Sequence, residues 1–192
     1  MILGITGGTG CGKTTLLQCI ERCGGLVLDC DAIYHRLLQT DKALLSAIES
    51  RFPGTVEDGI LQRKKLGAIV FSNEEALGDL NAITHGAVKA EVLRLLEQKP
   101  ALAAIDAIAL FEGGLAELCD VTVAVTAPVE DRVRRLMARD GISEEYARKR
   151  IGAQHNDQWF RQHCHRVLEN IDTKKQFEEK CLAFLKEWGI MN

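Results

Sequence analysis

Only three prolines occur in the 192 residues, and no Pro/Ser-rich stretch, low-complexity tract or internal repeat accompanies them. No linker between independent domains is therefore expected, and a chain of this length fits one domain of roughly 100–200 residues. No apolar run reaches the ~18 residues of a membrane span. The best, 101–111, is broken by Asp106. The opening Met1-Ile2-Leu3-Gly4 lacks the basic segment of a secretory signal. Neither sign of charge dominates. Lys and Arg number 24 against 27 Asp and Glu, a net of −3, so no basic field exists for general nucleic-acid binding. The seven cysteines are an odd set without CxxC spacing, which argues against a disulfide framework or zinc site and for free thiols in a reducing compartment. What remains is the profile of an ordinary soluble protein, 46% hydrophobic and 27% charged. A cytoplasmic location without membrane or nucleic-acid partners is expected, as a monomer or weak homo-oligomer.

Apolar β-rich runs alternate with helical patterns, the signature of βαβ units and a parallel sheet. Strands are expected at 2–6, 26–28, 102–110 and 121–126, with a short last one at Val167-Leu168. Helices are expected at 14–22, 33–38, 43–51 and 129–139. Another is capped by Ser143, and a last one is opened by the capping box Thr173-Lys174-Lys175-Gln176. Pro53-Gly54 and Asp58-Gly59 punctuate a loop. From Leu61 to about Glu97 the pattern is helical, with breaks near Ser72-Asn73 and His85-Gly86. That stretch is longer than a crossover needs and reads as a substrate-covering insertion.

Gly7-Gly8-Thr9-Gly10-Cys11-Gly12-Lys13-Thr14 fits G-x-x-x-x-G-K-[ST] in full. Glycines let the backbone turn with positive φ and bring N–H groups to phosphate oxygens, with a helix start aimed at the anion. Lys13 is placed to reach the β/γ-phosphates and the Thr14 hydroxyl to complete the shell of Mg²⁺. Cys11, inside such a cradle, is expected to favour a thiolate. Cys19 and Cys23 read as core packing.

A GTPase guanine signature is absent, since Thr173-Lys174-Lys175-Gln176 ends in the wrong residue, and a small-molecule kinase fits better. Asp31, at the end of the second expected strand, has two readings. One is a base that accepts the proton of an attacking hydroxyl; the other is a helix N-cap. Asp106 closes an apolar strand in the form of a Walker B carboxylate, a Mg²⁺ holder. Glu112 is a candidate substrate contact or a solvated loop acid. Arg132, Arg134, Arg135 and Arg139 read either as a solvated helix face or as part of a lid that closes on a triphosphate.

Taken together these motifs resemble the dephospho-coenzyme A kinase family. The likeness runs from Ile2 to about Asn170. It is carried by the opening Gly4 to Thr15, by Asp29-Cys30-Asp31, by Asp58-Gly59-Ile60-Leu61-Gln62-Arg63 and by Leu80-Asn81-Ala82-Ile83-Thr84-His85-Gly86. Further on it is carried by Asp106 to Glu112, by Arg135-Leu136-Met137-Ala138-Arg139-Asp140 leading to Ala153-Gln154, and by Leu168-Glu169-Asn170. Cys11, Cys30, Gly86 and Ile108-Ala109 depart from the family pattern, and none of them removes a charged group.

The resemblance implies an α/β, P-loop kinase-like fold: a five-stranded parallel sheet flanked by helices, with a helical substrate-binding insertion and a lid. The nucleotide-binding core would be 1–60 and 100–192, the insertion about 61–99 and the lid about 135–155. It implies ATP-dependent phosphorylation of the ribose 3′-hydroxyl of dephospho-coenzyme A; another small P-loop kinase of nucleosides, nucleotides or sugars is the alternative. Asp31, Lys13, Arg135 and Arg139 would be catalytic. Gly7 to Thr15 and Asn170 would hold ATP. Asp31, Arg63, His85 and Glu112 would meet the acceptor, and Thr14 and Asp106 the Mg²⁺.

Overall fold

Five segments pair into one parallel sheet with strand order β2-β5-β1-β6-β7 in the computed structural model, which describes residues 1–190. The strands are β1 (Ile2–Thr6), β2 (Leu26–Asp29), β5 (Ala103–Asp106), β6 (Val121–Thr126) and β7 (Arg166–Glu169). β1 lies in the middle. It pairs Ile5 with Asp106 on one side and Thr6 with Ala124 on the other. Central parallel strands are covered on both faces and read as continuous apolar runs, and β6 is buried at every residue.

The chain divides into two compact units. The first comprises Met1–Leu28, Pro100–Leu110 and Leu115–Asn192 and carries most of the sheet. Its helices are α1 (Lys13–Arg22), α6 (Val129–Asp140), α7 (Glu144–Gly152), α8 (Asp157–His163) and α9 (Lys174–Glu187). Leu3, Ile5, Leu16, Cys19, Val123, Phe177 and Leu185 form its core, in which α1 packs on α9. A smaller cluster of Val133, Leu136, Ala147 and Ile151 joins α6 to α7. Ser143 accepts from the Tyr146 N–H at 3.2 Å to start α7, and the expected capping box opens α9.

The second unit comprises Asp29–Lys99 and Phe111–Gly114. It holds α2 (Cys30–Thr40), α3 (Lys42–Arg51), α4 (Arg63–Val70), α5 (Glu74–Leu96) and a two-stranded hairpin, β3 (Val56–Glu57) with β4 (Ile60–Leu61). α5 packs against α2, α3 and α4. Asp41 ends α2 and caps α3, its Oδ1 accepting from Ala43 and Leu44.

Three expectations are corrected and one helix is added. The run at 102–110 is a strand only over Ala103–Asp106. Its neighbour β1 ends at Thr6, so beyond the Ala107 N–H to Ile5 carbonyl bond there is no ladder to join. The loop at Asp58-Gly59 is the turn of the β3–β4 hairpin; both residues take positive φ, 50° and 74°, as a two-residue hairpin turn requires. The expected break at Ser72-Asn73 is present, with Asn73 capping α5, but none occurs at His85-Gly86. Buried Thr84, Val88 and Val92 keep α5 helical there, which outweighs the ~1 kcal/mol helix penalty of one glycine. The added helix is α8, which has no counterpart among the expected ones; Asn156 caps it, accepting from the Trp159 N–H at 2.9 Å.

Candidate active site

The loop from Gly7 to Gly12 joins β1 to α1. Gly7, Gly10 and Gly12 have φ of 128°, 78° and 96°, values that side chains resist. Space demands glycine as well. A Cβ on Gly7 would overlap the Val125 carbonyl, one on Gly8 the Arg132 guanidinium and one on Gly12 the Asn170 amide. Lys13 folds back over the loop and donates from Nζ to the Gly7 carbonyl at 3.1 Å. Thr14 is exposed in the first turn of α1, beside the half-buried Thr15. The arrangement is a preformed anion cradle: a helix start, glycine-built turns of backbone and an ammonium group.

Three side chains distant in sequence hold the loop carbonyls. Arg132 Nε donates to Thr9 O at 2.9 Å, and Arg135 donates from a terminal nitrogen to Gly10 O at 3.1 Å. Asn170 Nδ2 donates to Cys11 O at 2.8 Å, while its own N–H donates to Thr126 O. Gln154 Oε1 accepts from the Thr9 N–H at 2.8 Å and from Arg132 at 3.1 Å. A pocket of about 250 Å³ beside Gly12 and Thr15 is lined by Arg135, Asn170, Lys174 and Phe177. Among these, Lys174 and Phe177 carry no binding signal in the sequence, Gln154 stands there only as the end of the lid segment, and Arg132 only as one of a cluster. Arg132 did carry a signal: it lies three residues before Arg135, on the same face of α6.

Arg139 is not on the loop. It is exposed near the end of α6 and forms a two-pronged pair with Asp140, at 2.6 and 3.0 Å. Arg150 also reaches Asp140, at 2.8 Å. Hydrogen bonds from Arg139 and then Arg150 hold the Asp140 carboxyl down at about 2. Asp106, at the end of β5, lies beside Ile5 in the register of β1.

The thiolate expected at Cys11 is contradicted. Its side chain is 1% exposed and packs in the core with Leu3, Ile5 and Leu16 rather than into the cradle. Burial pushes the thiol pKa up, and the opposing charges of Arg132 and Lys13 do not offset it. Cys19 is fully buried, as core packing predicts, and all seven cysteines are free thiols.

In the helical unit, the N-cap of α2 is Asp29, whose Oδ1 accepts from the Ala32 N–H at 2.9 Å. Asp31 is therefore not the cap. It sits exposed in the first turn of α2. Arg63 opens α4 and is exposed. It counters the burial that raises the pKa of Tyr34, which lies on α2 one turn beyond Asp31. His85 is half-buried in the middle of α5, neither at a helix end nor in the core. Glu112 is exposed in the segment 111–114, where Lys89 of α5 also reaches: a Cβ on Gly114 would stand 3.0 Å from its Nζ.

A parallel sheet of this strand order, with a glycine-built cradle after its central strand, is the architecture of P-loop small-molecule kinases, and that is the class the fold and the site define. Within this class the chain belongs to the dephospho-CoA kinase family. The family model described as Dephospho-CoA kinase matches residues 1–176. The Dephospho-CoA kinase of Corynebacterium diphtheriae is 36% identical, over 92% of this chain and 92% of that protein. A crystal structure from Thermus thermophilus is similar with a TM-score of 0.81 at 35% identity, covering 97% of each chain. The Dephospho-CoA kinase from Campylobacter jejuni, at 23% identity and a TM-score of 0.60 over 97% of this chain and 96% of that one, shares the fold.

Proposed function

We propose that the protein transfers the γ-phosphoryl group of ATP to the ribose 3′-hydroxyl of dephospho-coenzyme A, giving coenzyme A and ADP in the last step of coenzyme A biosynthesis. The observation that carries this reading is the complete cradle, pinned at its carbonyls by α6 and Asn170, in a chain matched by the family model over residues 1–176.

In this reading the cradle and Lys13 bind the β- and γ-phosphates, and the pocket lined by Arg135, Asn170, Lys174 and Phe177 takes the nucleoside end. The acceptor oxygen forms a bond to the γ-phosphorus, the bond from that phosphorus to the β–γ bridging oxygen breaks, and ADP leaves. The hydroxyl proton passes to Asp31, an exposed carboxylate that capping does not occupy. Arg63, His85 and Glu112 serve the acceptor. Arg135 and Arg139 neutralise charge on the transferring group, Arg139 by exchanging Asp140 for phosphate as the segment 135–155 closes as a lid. Catalysis of this kind is mostly positioning and electrostatics.

The Thr14 hydroxyl and the Asp106 carboxylate are hard oxygen donors, one in the first turn of α1 and one beside Ile5 at the end of β5, and they suit Mg²⁺. When bound there, Mg²⁺ would neutralise charge on the β/γ-phosphate oxygens. Seven free thiols and no helix among the described residues long and apolar enough to cross a membrane suit action in the cytoplasm.

The test is ADP release with dephospho-coenzyme A beside adenosine, AMP, uridine and gluconate. Release driven by dephospho-coenzyme A above all others supports the reading. A preference for any of the other four supports a different small-molecule kinase.

A further inference from the structure

Arg132 is the most enclosed charged side chain of the cradle, 3% exposed. Both of its hydrogen-bond partners, Thr9 O and Gln154 Oε1, are neutral. Among the described residues no carboxylate forms an ion pair with it. Charges buried in proteins are ordinarily paired, because desolvation of a lone ion is costly.

The side chain that completes this arrangement is Gln154, whose single oxygen accepts from both Thr9 N–H and Arg132. Nothing in those two bonds needs an amide. A glutamate of the same shape would accept both, would accept more strongly from a guanidinium, and would supply the missing counter-charge. The residue present is the neutral isostere. The loop is also shaped around the arginine: a Cβ on Gly8 would overlap the guanidinium, and one on Gly10 would come within 3.0 Å of the Arg132 carbonyl.

We propose that Arg132 is a resident buried cation of the phosphate site, and that Gln154 is neutral so that this charge remains available to the anion held in the loop. Arg132 is a positioning residue. It fixes the Thr9 carbonyl directly and the Thr9 N–H through Gln154, and its field reaches the phosphates through the loop backbone. The anion would then provide the close counter-charge that no ion pair of Arg132 supplies; Asp157, whose charge acts on Cys11 alongside that of Arg132, does not form one. The inference rests on the reading that this loop binds nucleotide phosphates.

The experiment compares wild type with Gln154→Glu, Arg132→Lys and Arg132→Gln. Thermal midpoints are measured without ligand, Kd for ATP with Mg²⁺ and for inorganic pyrophosphate by calorimetry, and KM and kcat by ADP release. For Gln154→Glu the expected result is an unchanged or raised midpoint with about tenfold weaker ATP and pyrophosphate binding, since one unit charge is cancelled at short range. Its KM for ATP should rise while kcat at saturation stays within about threefold. Arg132→Lys should recover most of the affinity that Arg132→Gln loses, because it keeps the charge. A purely structural role would move midpoint and affinity downward together. That result, or Gln154→Glu binding both ligands as wild type does, overturns the inference while leaving the nucleotide reading intact. Wild type that binds neither ligand overturns the nucleotide reading and the inference with it.

Discussion

The two units hold their candidate groups in opposite ways. In the cradle unit the groups at the loop are tied to backbone: Lys13 to Gly7 O, Arg132 to Thr9 O, Arg135 to Gly10 O and Asn170 to Cys11 O, with Arg132 and Asn170 buried, while Arg139 stands off the loop, exposed and paired with Asp140. In the helical unit Asp31, Arg63 and Glu112 are exposed side chains, and His85 is half-buried on the longest helix. The cradle is built before anything binds, because a phosphate chain offers a fixed pattern of charge that backbone N–H groups can anticipate. The helical unit is rigid for a different reason. Its helices are fixed by Asp29, Asp41 and Asn73 caps and by pairs such as Arg36 with Glu91 at 2.6 Å. Its candidate side chains stand on separate parts of that scaffold, Asp31 on α2, Arg63 on α4, His85 on α5 and Glu112 in the segment 111–114. A substitution in the cradle should therefore disturb the loop along with the chemistry, whereas one in the helical unit should remove chemistry alone.

The largest expected effect lies in the cradle. Lys13→Ala should abolish turnover, by about 10³-fold or more, because it removes both the phosphate cation and the bond that closes the loop. ADP release and circular dichroism on one sample check it; near-normal turnover in a folded variant would remove Lys13 from the mechanism. Across the divide, Asp31→Asn should lower kcat by about 10²–10⁴-fold with ATP binding intact. Its control is Asp29→Asn, which should be nearly silent since Asn and Asp cap equally well. A loss under tenfold for Asp31→Asn would show that the exposed carboxylate is not the base.

Smaller effects sharpen the contrast. Arg139→Ala should lower kcat by about 10²-fold and ATP affinity much less, because Arg139 is paired with Asp140 in the resting structure and, on the proposed lid role, would meet phosphate only on closure. Equal losses in both constants would place it in the resting site instead. Asp29→Ala should cost about 1 kcal/mol of stability, read by chemical denaturation, through loss of the α2 cap. The smallest effect is on pH. Asp140 titrates at about 2 in the folded protein, below the ~3.9 of a free Asp. Its carboxylate pairing therefore favours the folded state fully above pH ~4, and this is lost as pH falls toward 2. NMR titration of the carboxyl, with Asp140→Asn removing the dependence, checks the sign.

The parts of this structure legible in the sequence are those decided locally. β1, the turn into α1, β6 and the caps at Ser143 and Thr173 each follow from residues within a few positions of one another. Of the β3–β4 hairpin only the turn was legible, since Asp58-Gly59 is a strong turn signal; its two-residue strands show no alternation, and the segment reads as a loop. The strand after Ala103 is shorter than its apolar run because its partner ends at Thr6, which is information carried a hundred residues away. Cys11 defeated local reading for a similar reason. Position within the motif places it at the phosphates, but its side-chain direction is set by the core beneath, among Leu3, Ile5 and Leu16. Gln154 was legible only as the end of the lid segment; that it meets Thr9 across 145 positions has no local signal.

The position of the new phosphate identifies the reaction most directly. Incubating the protein with ATP, Mg²⁺ and dephospho-coenzyme A and recording proton–phosphorus correlation spectra of the product locates it. The expected result is one new phosphomonoester coupled to the ribose H3′, with ADP formed in equal amount. A new ester at any other position, or ADP formed with no new ester, would contradict the assigned reaction.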